Sequence, residues 1–166
     1  LPTRINNRLP EGDSPAYTMA LVCNYREARA TPDWQVLERQ AARCGPERKI
    51  GSIAARNGDI ITLPPRSTPT SLTYIRVAPG RRPWRAKLRS VLYKPKRSPL
   101  VVLDEDPARV FTVFLRDAAN PLLLRGPVKS NWSSRFSGPS ADTQRVRFES
   151  FDAPFRVDFF ERSLRP

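Results

Sequence analysis

Eighteen of the 166 residues are proline, a density that limits the chain to short elements joined by abrupt turns. Proline inside a helix removes a backbone donor and collides with the preceding turn, and in a sheet it is confined to edges, strand starts and bulges. From residue 71 onward the stretches between turns read as strands: SLTYIRVA, PLVVL, RVFTVFLR, PLLLR, VKSNWSSRF, TQRVRFESF and FRVDFFER. The clusters PG, DEDP, DAANP, GPSAD and DAP separate them, each rich in residues that take turn conformations. All eight phenylalanines lie between residues 111 and 160. The main apolar core is therefore expected in this part, built from sheet.

The N-terminal third reads differently. In TPDWQVLERQAARCG, Thr31 is placed as an N-cap, Pro32 at the first helical position, Asp33 in the first turn and Gly45 as terminator. Trp34, Leu37, Ala41 and Cys44 recur at helical steps, which predicts a helix over 32–44. Upstream, SPAYTMALVCNYREARA also opens on a cap-like Ser14–Pro15 pair. Its Tyr17, Met19, Leu21, Cys23 and Tyr25 alternate as a strand would, but Ala, Arg, Glu and Leu favour a helix over 15–29. Farther on, Asn57–Gly58 in KIGSIAARNGDIITLPP is a strong signal for a tight β-hairpin. A helix from Pro46 to Gly58 is the rival, weakened by Gly51.

The expected class is α+β: an N-terminal helical segment of one or two helices, then a mainly antiparallel β-sheet or a small barrel or sandwich. Residues 1–13 form a polar extension, and 14–166 a single domain. That domain divides into a helical part 14–45, a basic hairpin-rich middle 46–98 and a Phe-rich β part 99–166. Leu1 in place of an initiator Met points to a processed or trimmed chain, and LPTRINNRLPEGD has no apolar region of a secretory signal. No apolar run approaches the roughly 18 residues of a membrane span, so a soluble or peripheral protein with no transmembrane segment is expected. Cys23 and Cys44 lie outside any CxxC pattern, which favours free, buried thiols in a reducing compartment over a disulfide.

Several chemistries lack their side chains. The chain has no histidine, so triads and dyads that need an imidazole base are excluded. Two cysteines without histidine cannot build the usual zinc constellations. The seven glycines are too widely spaced for a phosphate-cradling loop. Asp104, Glu105 and Asp106 have the oxygen ligands for Mg²⁺, but an acidic loop between strands that faces a basic neighbour is the expected reading. The NWS tripeptide at 131–133 matches the glycosylation pattern, which arises often by chance. No enzymatic activity, cofactor or metal is expected.

The charge is the positive evidence. Against 16 acidic residues stand 29 basic ones, of which 24 are Arg and 5 Lys by direct count. Arginine presents a planar, always-charged donor fork suited to phosphate. The stretch RVAPGRRPWRAKLRSVLYKPKR, residues 76–97, carries nine cations and no acid; the remainder has 29 − 9 = 20 cations against 16 acids. Nine of the thirteen surplus charges are thus local, as in an electrostatic footprint.

Within that stretch Trp84, Ala86, Leu88 and Leu92 share one parity and Arg85, Lys87 and Arg89 the other, which in a strand puts an apolar set inward and a cationic row outward; a helix with Pro83 at its first position and Trp84, Leu88, Val91 and Leu92 on one stripe is the alternative and divides them the same way. Trp84 and Tyr93 are the candidates for base stacking, with a core role the first expectation for Trp84. The proline-bounded flanks carry Arg81, Arg82, Lys94, Lys96 and Arg97, which with Arg76 complete the candidate nucleic-acid-binding set.

A non-enzymatic structural protein of a ribonucleoprotein is expected, contacting the RNA phosphate backbone. An organellar (mitochondrial) ribosome, with rRNA and neighbouring proteins as partners in the matrix, fits best. Two alternatives stand beside it. One is an accessory subunit of a mitochondrial membrane complex (respiratory or ATP synthase) that meets anionic lipid or acidic neighbours. The other is a viral coat protein, a strand-rich jelly roll with a basic genome-facing surface.

Overall fold

The structure is a computed structural model that describes residues 15–30, 35–80, 97–104, 109–114, 119–126, 143–149, 151 and 153–165. These form one helix and three antiparallel sheets. Helix α1 spans Pro15–Asn24, with Pro15 at the first position where its missing N–H is not needed. It ends at Asn24, whose Nδ2 donates back to the Ala20 carbonyl at 2.8 Å. The chain then continues directly as a strand.

That strand, β1 (Tyr25–Ala30), pairs with β2 (Gln35–Arg39) in a two-stranded ribbon. Two helical expectations are corrected here. The helix of 15–29 stops five residues early, and the helix of 32–44 is replaced by β2 and an irregular run to Cys44. The cap signals at Thr31–Trp34 lie outside the described residues. The ribbon wins because its two segments are tied together at the base by a disulfide between Cys23 and Cys44. That bond overturns the expectation of free thiols. Below β1 and β2 the pairing continues, with Gln40 N–H donating to Asn24 O and Arg43 N–H to Cys23 O, both at 2.8 Å. Helix propensities of a few tenths of a kcal/mol per residue are outweighed by a covalent clasp and a ladder interrupted by a single irregularity between Glu27 and Arg29.

The body comprises eight strands: β3 (Arg48–Ala55), β4 (Ile60–Thr62), β5 (Ser71–Pro79), β6 (Arg97–Val102), β7 (Arg109–Phe114), β8 (Leu122–Arg125), β9 (Arg145–Phe148) and β10 (Phe155–Ser163). They form two four-stranded sheets in the orders β3-β10-β5-β8 and β4-β9-β6-β7. The pairs are nested: β3 with β10, β4 with β9, β5 with β8, and β6 with β7. It is the order of a long two-stranded ribbon, folded at the β6–β7 turn and rolled up, with β5–β10 and β6–β9 pairing closing the roll. VKSNWSSRF, expected as a further strand, lies outside the described residues.

Both sheets contribute to one core. Ile75, Val77, Val157, Phe155 and Phe159 of the first meet Ile61, Leu100, Val146 and Phe148 of the second. Phe148, Phe151 and Phe155 form a cluster of edge-on and tilted rings, with centroids 4.2–5.5 Å apart, which agrees with the expected Phe-rich core. Strand β5 buries both faces. Ile75 and Val77 point into this core, while Leu72 and Tyr74 join Met19 and Cys23 beneath α1 on the outer side. Arg125 is buried in β8, and its guanidinium donates to the carbonyls of Pro64 and Thr143, stitching the first sheet to the segments that flank the second.

The Asn57–Gly58 turn forms as expected, with Gly58 at φ 84°, but it does not close a hairpin. β3 and β4 belong to different sheets, because each is taken by a late strand, β10 or β9. The turn is a corner between layers. Gly58 N–H donates to Phe148 O at 3.0 Å, and Asn57 Oδ1 accepts from Phe151 N at 3.1 Å.

Candidate nucleic-acid interface

Strand connections alternate between the two ends of a nested roll, so the 56–59 corner, Gly80 after β5 and the described residues between β9 and β10 share one end. Hydrogen bonds join them there. Gly80 N–H donates to Pro154 O at 3.0 Å, and a Cβ on Gly80 would fall 2.1 Å from that oxygen. Only glycine allows so close an approach of backbone to backbone. The basic stretch thus leaves the body at a pinned root, and it returns as β6, with Arg97 opposite Phe114.

Of the predicted contact residues, Arg81, Arg82, Arg85, Lys87, Arg89, Lys94 and Lys96 lie outside the described residues, as do Trp84, Tyr93, Leu88 and Leu92. Arg97 is described by its backbone position alone. Arg76 lies on the outer face of the first sheet. Its two terminal nitrogens donate to the Glu47 carboxylate at 2.7 and 2.8 Å, and its guanidinium lies over the Phe160 ring at 4.6 Å from the centroid. A cation held by a fork and a ring is engaged within its own fold.

Other cations of the body are matched in the same way. Burial pushes Glu47 up, but hydrogen bonds from Arg76 and Tyr74 and the charges of Arg76 and Arg162 outweigh it and hold the carboxyl below its ordinary range. Burial, and next the hydrogen bond to the same carboxylate, push the Tyr74 hydroxyl up to about 12. Glu161, toward the end of the interior strand β10, accepts from Ser67 N at 2.8 Å, Ser71 Oγ at 2.6 Å and Arg48 at 2.7 Å, and also from Ser67 Oγ. Although burial opposes it, this ring of donors lowers its pKa to about 2. Asp158 takes Lys49, Ser52 and Arg156, and despite burial its pKa is likewise lowered.

On the second sheet, Asp104 binds the backbone N–H groups of Gln144 and Arg145 and the Arg145 guanidinium. The first acid of the DED cluster therefore acts as a staple between β6 and β9 with a basic neighbour, while Glu105 and Asp106 lie outside the described residues. Arg147 pairs with Glu149 at 2.8 Å. Among the described residues no group of three or more His, Cys, Asp or Glu could hold a metal ion, and no helix is long and apolar enough to cross a membrane.

A second set of cations was invisible in the linear charge pattern. Arg29 and Arg39 are exposed on the ribbon, Arg43 lies at its base beside Cys44, and Arg165 follows β10. Arg43 donates to the carbonyls of Tyr25 at 2.8 Å and Arg165 at 3.3 Å, and Arg165 N–H returns a bond to Arg43 O at 2.8 Å. Arg43 and Arg165 meet from positions 122 residues apart, so no window along the sequence reveals their contact.

No protein-family model matches the chain, and neither curated proteins nor solved structures yield a match.

Proposed function

We propose that the chain is a coat subunit, a jelly-roll protein that assembles around nucleic acid and neutralises its phosphates with arginine-rich surface elements. The observation that carries this reading is the nested order of the eight body strands, 1-8-3-6 and 2-7-4-5 when numbered from β3. It matches the double-sheet, double-Greek-key jelly roll. Jelly rolls serve in viral coats, in lectins and in cupins, and fold by itself does not choose among them. Charge supports the first: a net +13 with nine cations in one acid-free stretch suits contact with a polyanion, and sugar recognition has no need of it.

The disulfide weighs against the mitochondrial matrix as the home of the protein, since stable disulfides belong to oxidising surroundings, virion surfaces among them. Purified protein mixed with single-stranded RNA or DNA at low salt is expected to form closed shells in negative-stain images and to co-sediment with the nucleic acid. Salt-sensitive binding without shells under any condition would favour a ribonucleoprotein subunit instead. Recovery on anionic vesicles with no affinity for nucleic acid would favour the membrane-complex reading.

A further inference from the structure

The chain has six asparagines, and the residue after each decides its chemistry. An asparagine side chain is open to attack by the backbone nitrogen of the next residue, which closes a succinimide ring and expels ammonia. A side chain on that next residue obstructs the approach, and proline has no N–H to give up. Asn6, Asn7, Asn24 and Asn131 precede Asn7, Arg8, Tyr25 and Trp132, and Asn120 precedes Pro121. Only Asn57 precedes a glycine, which has no Cβ to stand in the way.

The fold holds both reacting groups. The attacking nitrogen, Gly58 N, donates its hydrogen to Phe148 O at 3.0 Å. The amide under attack is held through its Oδ1, which accepts from Phe151 N at 3.1 Å. Phe148 and Phe151 are buried members of the main core, so the backbone groups they offer are firmly placed. Arg56 and Asp59 close the corner itself: Arg56 N–H donates to Asp59 Oδ2 at 2.7 Å and Asp59 N–H to Arg56 O at 3.2 Å. The outer side is open. Asn57 is exposed, and a Cβ at Gly58 would meet nothing within 4 Å, so solvent has room beside the bonds that change.

We infer that Asn57 is a deamidation site, gated by the docking of Phe148 and Phe151 against the corner. When the corner swings free of those two residues, Gly58 N gives up its proton and forms a bond to Asn57 Cγ. The Cγ–Nδ2 bond breaks, and the amide nitrogen leaves as ammonia with that proton. Water then opens the succinimide. Cleavage at the side-chain carbonyl leaves aspartate, and cleavage at the main-chain carbonyl leaves isoaspartate, whose chain runs through Cβ and Cγ. Either product carries a new negative charge beside Asp59, in a corner that joins two different sheets. While the two hydrogen bonds stand, nitrogen and carbon are kept from closing, and the reaction waits on local opening. The chemistry needs no nucleic acid.

The test incubates the unaltered chain at mildly alkaline pH in native buffer and, in parallel, in denaturing guanidinium chloride. Trypsin, which cuts after Arg56 and Arg66, then releases residues 57–66 as one peptide, whose mass rises by the exchange of NH2 for OH. Two hydrogen bonds of ordinary strength should slow the native reaction about thirtyfold relative to the unfolded chain. A native rate equal to the unfolded one overturns the gating, and a peptide that stays unchanged in denaturant overturns the site itself. Phe151→Leu loosens the hold from the core side without altering the sequence around Asn57. It should raise the native rate several-fold and leave the rate in denaturant unchanged; a native rate no faster than that of the unaltered chain overturns the role given to Phe151. If that variant fails to fold, the two incubations of the unaltered chain still decide.

Discussion

Gly80 and Pro154 touch backbone to backbone, N–H to carbonyl at 3.0 Å, and this contact ties the root of the basic stretch to the segment entering β10. A side chain at Gly80 cannot be accommodated without moving one of the two, since its Cβ would sit 2.1 Å from the Pro154 oxygen. Gly80→Ala is expected to lower stability by about 1–3 kcal/mol, the usual range for overpacking. Urea unfolding measures it, and an unchanged midpoint would show that the root is not pinned.

The disulfide is predicted to be structural. It closes a loop with a sequence separation of 21, for which chain-entropy arguments give about 3 kcal/mol. The native protein should titrate no free thiol until reduced and denatured, and Cys23→Ser with Cys44→Ser should unfold at lower urea. Because the ribbon has no other sheet partner among the described residues, its backbone amides should also exchange hydrogen faster in that variant. Equal exchange in both forms would argue that the ladder suffices alone.

Acid should destabilise the fold through Glu161 first. Its pKa in the folded state is about 2 against an ordinary 4.5. A depressed carboxylate contributes its full stabilisation above the unfolded value and loses it as pH falls toward the folded one. The window therefore runs from about pH 4.5 down to about pH 2, with at most about 3 kcal/mol at stake. Glu47, Asp104 and Asp158, all lowered, act in the same direction. Urea midpoints at pH 7, 4 and 3 should fall in order, and Glu161→Gln should flatten part of that fall. A midpoint independent of pH would refute the assignment.

Arg76 separates charge that binds outward from charge used at home. Its side chain is 36% exposed, so the net worth of its pairing is screened and about 1 kcal/mol is expected from losing it. Arg76→Gln should therefore reduce stability modestly while leaving the affinity for single-stranded DNA within about twofold. A drop in the salt slope equal to that of a loop arginine would instead return Arg76 to the interface, as its place in the basic run first suggested.

Much of the body was legible because strands announce themselves locally. Alternation in TQRVRFESF and FRVDFFER, turn residues between them and Phe enrichment all act within a few residues of one another. The Asn57–Gly58 turn was legible for the same reason. Its role as a corner was not, because the partners of β3 and β4 lie about a hundred residues away at β10 and β9. The ribbon misled for the converse reason. YREARA and QVLER carry good helix formers, and the capping signals at Thr31 and Pro32 were real signals of local preference. A bond between Cys23 and Cys44 aligned the two segments, and ladder pairing then outweighed propensity.

From the sequence by itself come the short strands, the tight turns, the location of the apolar core and the strong positive charge, since each depends on neighbours along the chain or on composition. Only the tertiary structure decided which strands pair, that the cysteines join, that Arg76 is matched by Glu47, and that Arg43 meets Arg165. Those outcomes depend on closing long loops, whose entropic cost grows only slowly with length. Residues far apart in sequence can therefore meet wherever the contacts repay it, and no local pattern records where that is.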